Sequence, residues 1–113
     1  MCTKNELKRI VSELVKVYQS VYGDQIVKIV LYGSYARGNY DSESDVDMVA
    51  LVRGDREVLQ EQLKQVWDVS SELEIEFGTI LSPAVIPYEE YEQFVDILPY
   101  YKNIAEEGVV IVA

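Results

Sequence analysis

The sequence predicts a small α/β domain, and three observations carry that expectation. Stretches with one apolar stripe at helical spacing alternate with short β-branched runs, in the order α-β-α-β-α-β-α. Hydrophobic residues make up 49% of the chain and charged residues 27%, the balance of a sequence that folds around a core. The 113 residues are enough to bury one such core without disulfides or structural metals. A single domain over residues 1–113 is expected, with no internal repeat, linker or low-complexity tract.

Thr3 and Glu6 have the spacing of a capping box. Leu7, Ile10, Val11, Leu14, Tyr18 and Val21 follow at helical spacing, so a helix is predicted over residues 4–22, with Gly23 as its stop. Residues 25–32, QIVKIVLY, read as a strand covered on both faces. A short helical turn is expected at 35–37, a polar loop at 39–44, and a second strand at 45–52 that begins polar and turns apolar. Leu59, Leu63, Val66, Trp67 and Ser70 mark another helix. Leu73, Ile75 and Phe77 then alternate with Glu74 and Glu76, which predicts a strand over 73–81, ended or distorted at Ser82-Pro83. Pro87 suits the first turn of a helix carrying Tyr91, Phe94, Val95 and Leu98. Pro99 stops that helix, a further short one runs to Glu107, and VVIVA closes the chain as a β segment.

Composition narrows the chemistry. There is no histidine, which excludes Ser-His-Asp and Cys-His nucleophilic sites and His-ligated metals. The one cysteine, Cys2, excludes an internal disulfide and a Cys-rich zinc site. Twenty acidic against ten basic residues give a formal charge of −10, which disfavours direct nucleic-acid binding. No apolar run reaches membrane-span length and the N-terminus lacks a signal-peptide core, so a cytoplasmic location is expected. Catalysis therefore falls to carboxylates, hydroxyls, Lys, Arg, backbone amides or an oxygen-held metal.

Residues 31–49, LYGSYARGNYDSESDVDMV, concentrate those groups. Gly33 follows a buried strand and opens a turn, where a missing Cβ lets backbone approach a ligand closely. Ser34 adds a hydroxyl and an amide at a predicted helix start, a place attractive to phosphate. Asp45 and Asp47 sit at i and i+2 of a strand, on one face and ~7 Å apart along the backbone. Two carboxylates so placed converge on one hard cation, and an open oxygen site suits Mg²⁺ completed by water and substrate phosphates. Held ~4 Å apart without a cation they would repel by ~4 kcal/mol at an effective dielectric near 20. Glu74 or Glu76 offers a third carboxylate from the next strand, with the alternative reading that both face solvent. Such a set fits two-metal phosphoryl or nucleotidyl transfer, the third acid taking the proton of an attacking hydroxyl.

GSYARGNYDSESDVD resembles the signature of the DNA polymerase β-type nucleotidyltransferase superfamily: Gly-Ser, ten residues, Asp-x-Asp. With Ala36-Arg37-Gly38 and Ser44-Asp45 it is similar to the minimal nucleotidyltransferase branch. The tail through Ser82-Pro83 to Glu107-Gly108 resembles the antitoxin members encoded beside HEPN-domain ribonuclease toxins. The resemblance implies a polymerase β-like fold, a small mixed sheet flanked by helices, and Mg²⁺-dependent transfer of AMP from ATP. It implies that Gly33 and Ser34 hold phosphates and that Asp45 and Asp47 ligate two metal ions. Glu76 is the favoured third catalytic and metal-binding acid, with Glu74 the alternate. Arg37 is a nucleotide-binding candidate beside the reading as a loop ion pair; Lys102 is a weaker one beside the reading as a solvated helix face.

The acceptor implied is a tyrosine of a partner HEPN toxin, which makes the chain an antitoxin of type VII-like behaviour. The strong acidity favours a basic partner, whose association should weaken with salt. Tyr100-Tyr101, with Tyr88 and Tyr91, read equally as a partner surface or as packing. Two other classes stand beside this expectation: a module that neutralises the toxin by binding alone, and nucleotidyl transfer to a small molecule.

Overall fold

The computed structural model describes residues 3–38 and 45–112; the side chains of Ser34 and Arg37, and the predicted loop at 39–44, lie outside the described set. The first helix, α1 (Lys4–Tyr22), begins with the predicted capping box. The Thr3 hydroxyl accepts from the Glu6 amide at 3.1 Å, and the Glu6 carboxylate accepts from the Thr3 amide at 2.9 Å. A 3-10 turn at Gly23–Gln25 leads into β1 (Ile26–Tyr32), and the four-residue helix α2 (Ser34–Arg37) follows. Then come β2 (Val46–Val52), α3 (Arg56–Phe77), β3 (Leu81–Pro87), α4 (Tyr88–Phe94), α5 (Pro99–Glu107) and β4 (Val109–Val112).

The four strands form one mixed sheet in the order β3-β2-β1-β4. β1 pairs antiparallel with β2 and with β4, whereas β2 and β3 run parallel, joined by the crossover helix α3. One face of the sheet packs Ile29, Leu31, Val46, Met48 and Val85 against Ile10, Leu14 and Tyr18 of α1 and Leu59, Leu63 and Val66 of α3. The other face packs Val30, Val49, Leu51 and Ile86 against Tyr101 and Ile104 of α5, with Tyr91 and Phe94 of α4 alongside. Polar handles secure the first face. The fully buried Tyr18 donates to the Ala84 carbonyl at 2.8 Å, Tyr22 donates to the Leu59 carbonyl at 2.8 Å, and the Trp67 indole donates to the Pro83 carbonyl at 3.2 Å. Among the described residues no helix is long and apolar enough to cross a membrane.

The structure ends α4 at Phe94, short of Val95 and Leu98, and makes Pro99 the first residue of α5 rather than a stop. It corrects a second segment more deeply. The strand expected at 73–81 is instead the last turn of α3 and the connection after it. The stripe Leu59-Leu63-Val66-Ser70-Leu73 simply continues at helical spacing. Ile75, whose alternation with Glu74 and Glu76 suggested a buried strand face, is 86% exposed. Gly78 ends the helix in the left-handed region at φ 63°, its amide bonded to the Glu74 carbonyl. The strand itself runs from Leu81, so Ser82-Pro83 lies inside it rather than ending it. β3 is an edge strand, where a proline lacking its N–H is tolerated.

Candidate active site

β1 ends at Tyr32, and Gly33 turns the chain into α2 with φ +77°. Asp47 is the second residue of β2 and the antiparallel partner of Tyr32. The Asp47 carboxylate lies directly over the glycine: a Cβ at Gly33 would run into its Oδ2 and stand 3.2 Å from its carboxyl carbon. Glycine is thus required twice at this turn, by its positive φ and by the acid seated on it. Asp45 precedes the first residue of β2 and is, like Asp47, half-buried. The pair sits at i and i+2 of one extended segment, as the sequence predicts. Gly33, Asp47 and the backbone start of Ser34 therefore meet at one end of the central two strands.

Neither glutamate occupies a strand beside them. Glu74 and Glu76 belong to α3, where positions i and i+2 point to different sides of the helix. The Glu74 carboxylate accepts from the Leu81 amide at 2.9 Å, tying the helix end to the start of β3. Glu76 stands 3.5 Å from the Arg9 guanidinium of α1, an exposed ion pair across the two helices. Among the described residues no three acidic side chains converge as a metal cage, so Glu76 and Glu74 are not gathered with Asp45 and Asp47. The strand next to Asp47 presents Ser82 as its parallel partner. Ser34 and Arg37 fall in α2, with their side chains outside the described set, and Lys102 lies on the exposed side of α5.

Beside Asp47 stands Tyr32, which joins it to Tyr100 of α5, one of the tyrosines the sequence leaves open between partner surface and packing. The Tyr32 and Tyr100 hydroxyls are 2.9 Å apart, and their rings meet edge-on with centroids at 5.9 Å. Burial, reinforced by the bond to Tyr100 and by the negative charge of Asp47, pushes the Tyr32 phenol far above the ordinary tyrosine range. It therefore stays protonated beside the acid. Tyr101 is buried in the α5-side core; its hydroxyl donates to Glu90 at 3.0 Å, and Arg56 pairs with the same carboxylate. Tyr100 remains half exposed. A signal for Tyr32 existed in its place just before Gly33. Ser82 and Tyr100 reach the site only through sheet pairing and α5 packing, which no local pattern encodes.

The nucleotidyltransferase domain family matches residues 4–112, which spans every element just described. The chain belongs to that family. Two proteins of Methanocaldococcus jannaschii, both named as candidate protein adenylyltransferases, are similar over nearly their whole lengths. One is 35% identical over 107 residues, covering 95% of this chain and 98% of its own, and the other is 31% identical over 96 residues, covering 85% and 95%. A crystal structure from Sulfolobus solfataricus, described as a candidate nucleotidyltransferase, superposes with a TM-score of 0.46 at 17% identity, over 96% of this chain and 87% of that one. This nucleotidyltransferase has the mixed sheet flanked by helices that the sequence predicts, and it is an enzyme by family.

The donor set of the site fits a hard divalent cation. Asp45 and Asp47 would supply carboxylate oxygens from one short segment, and with two protein acids the remaining ligand positions would fall to water and phosphate oxygens. Such an ion, when bound, polarises phosphate oxygens and lowers the pKa of an attacking hydroxyl. The protein itself would contribute the carboxylates of Asp45 and Asp47, the latter seated on the Gly33 turn.

Proposed function

We propose that this nucleotidyltransferase transfers AMP from ATP to a tyrosine hydroxyl of a partner protein, with Mg²⁺ held by Asp45 and Asp47. The observation that carries the reading is the contact of the Asp47 carboxylate with the Gly33 turn, which makes a cation site and a phosphate turn adjacent. The names of the two archaeal relatives support protein as the acceptor class. In the reaction the acceptor oxygen bonds to the α-phosphorus, the bond from that phosphorus to the β-phosphate bridging oxygen breaks, and pyrophosphate leaves. The hydroxyl proton passes to the carboxylate pair or through it to water.

The partner proposed is a HEPN-domain ribonuclease toxin, inactivated by the modification, so that the chain serves as its antitoxin. The excess of 20 acidic over 10 basic residues supports a basic partner and an association that weakens with salt. The test is incubation with α-labelled ATP, Mg²⁺ and the protein of the neighbouring gene. Label on the partner that vanishes with Asp45→Asn and with Asp47→Asn supports the reading; equal labelling by those variants overturns it.

One observation favours a second reading, in which the chain neutralises its partner by binding alone. β3 carries no acid, and Ser82 stands where a third carboxylate could have faced Asp47. Neutralisation at stoichiometric dose by the Asp45→Asn/Asp47→Asn double variant would decide for binding.

A further inference from the structure

Asp47 and Tyr32 face the α4 and α5 side of the sheet, because Leu31, Val46 and Met48, which alternate with them along the strands, pack under α1 and α3. On that face Asp47 has two cross-strand neighbours, Ser82 on β3 and Tyr32 on β1. Beyond Tyr32 stands Tyr100, in the first turn of α5. Its hydroxyl is tied to Tyr32, and its ring packs at 5.8 Å from that of Tyr101, which is buried and fixed to Glu90. Yet Tyr100 stays 44% exposed. An aromatic ring held at its tip and from one side, with nearly half its surface in water, is preorganised to stack on another flat ring at little entropic cost.

We infer that Tyr100 is the stacking platform for the nucleobase of the bound nucleoside triphosphate. The inference rests on the nucleotidyl-transfer reading above and adds a base subsite to it. With the phosphates at the Gly33 turn and the cation at Asp45 and Asp47, a ribose would carry the base toward α5, past Tyr32. A stacking platform reads ring area rather than the pattern of donors and acceptors on the base edge. Purine triphosphates are therefore bound better than pyrimidine ones, with little distinction between adenine and guanine by Tyr100 itself.

The test compares wild type, Tyr100→Leu and Tyr100→Phe by calorimetric titration with Mg·ATP, Mg·UTP and, as a base-free probe, Mg·tripolyphosphate. Tyr100→Leu is expected to weaken Mg·ATP at least about 5-fold. Tyr100→Phe, which keeps the ring and loses only the hydroxyl, should bind Mg·ATP much as wild type does. All three should bind Mg·tripolyphosphate alike. In turnover, KM for ATP rises in Tyr100→Leu while kcat holds, the mark of an interaction equal in ground and transition states. Unchanged Mg·ATP affinity in Tyr100→Leu overturns the inference and leaves the transfer reading intact. Parallel loss of tripolyphosphate overturns it too, assigning Tyr100 a structural role. Failure of wild type to bind either ligand overturns both.

Discussion

The two faces of the sheet are built for different tasks. Under α1 and α3 the strands are closed off by large side chains, and the few polar atoms there, such as the Tyr18 and Tyr22 hydroxyls, each find a backbone carbonyl. Under α4 and α5 the cover reaches the end of β1 through the Tyr32–Tyr100 contact, and there Asp47 and Tyr32 are half-buried and Tyr100 is exposed. Both faces carry buried core, and the proposed site lies at the strand ends of the second, where polar side chains replace apolar ones.

The most damaging single change is expected at these strand ends, with Gly33→Ala. The added methyl meets the Asp47 carboxylate, and the backbone is forced from a conformation that alanine disfavours. Transfer should fall to background while the far-UV circular dichroism stays native. Retained activity would separate the turn from the acid. On the closed face the effect reverses in kind. Leu14→Ala, at a fully buried position of α1, should cost about 2–5 kcal/mol by chemical denaturation, with turnover per folded molecule unchanged.

The same contrast explains what could be read before the fold was known. The α1 stripe, its capping box and the β-branched run of β1 are local signals, because burial on one side imposes a period that neighbouring residues share. Gly33 and Asp47 were legible for another reason: a positive-φ turn and paired acids leave their residue types in the chain wherever they stand. The end of α3 was not. Leu73, Ile75 and Phe77 satisfy strand alternation while Leu73 and Phe77 also continue the helical stripe, and only Gly78 and tertiary packing decide between them. Pro83 misled because a strand-breaking residue is harmless at a sheet edge, and edge position is a property of the whole topology. The neighbours of Asp47 depend on β2–β3 register in the same way.

A gentler probe of the two faces is alkaline titration. Burial pushes the Tyr22 phenol up to about 12 and raises Tyr18 and Tyr32 well above the ordinary tyrosine range. The unfolded chain releases these protons near pH 10. The folded state therefore binds more protons above that pH, and stability is full below it and falls as the pH climbs from 10 through 12. Phenolate absorbance should rise in two phases, exposed tyrosines first and the buried ones together with loss of structure. Simultaneous titration of all tyrosines in the folded protein would contradict the packing described. Smallest of all is the effect expected for Glu76→Gln. It removes only the exposed pair with Arg9, so stability should change by less than about 1 kcal/mol and transfer should be retained. A loss of transfer comparable to that of Asp47→Asn would return Glu76 to the catalytic set.

The most direct measurement is Mg²⁺-dependent ATP binding by isothermal calorimetry, for wild type and for Asp47→Asn, each with Mg²⁺ and with EDTA. Expected is saturable uptake by wild type that requires Mg²⁺ and is lost in the variant, whose thermal unfolding matches wild type. Equal binding by Asp47→Asn, or uptake by wild type indifferent to the metal, would contradict a cation site formed where that carboxylate meets the glycine turn.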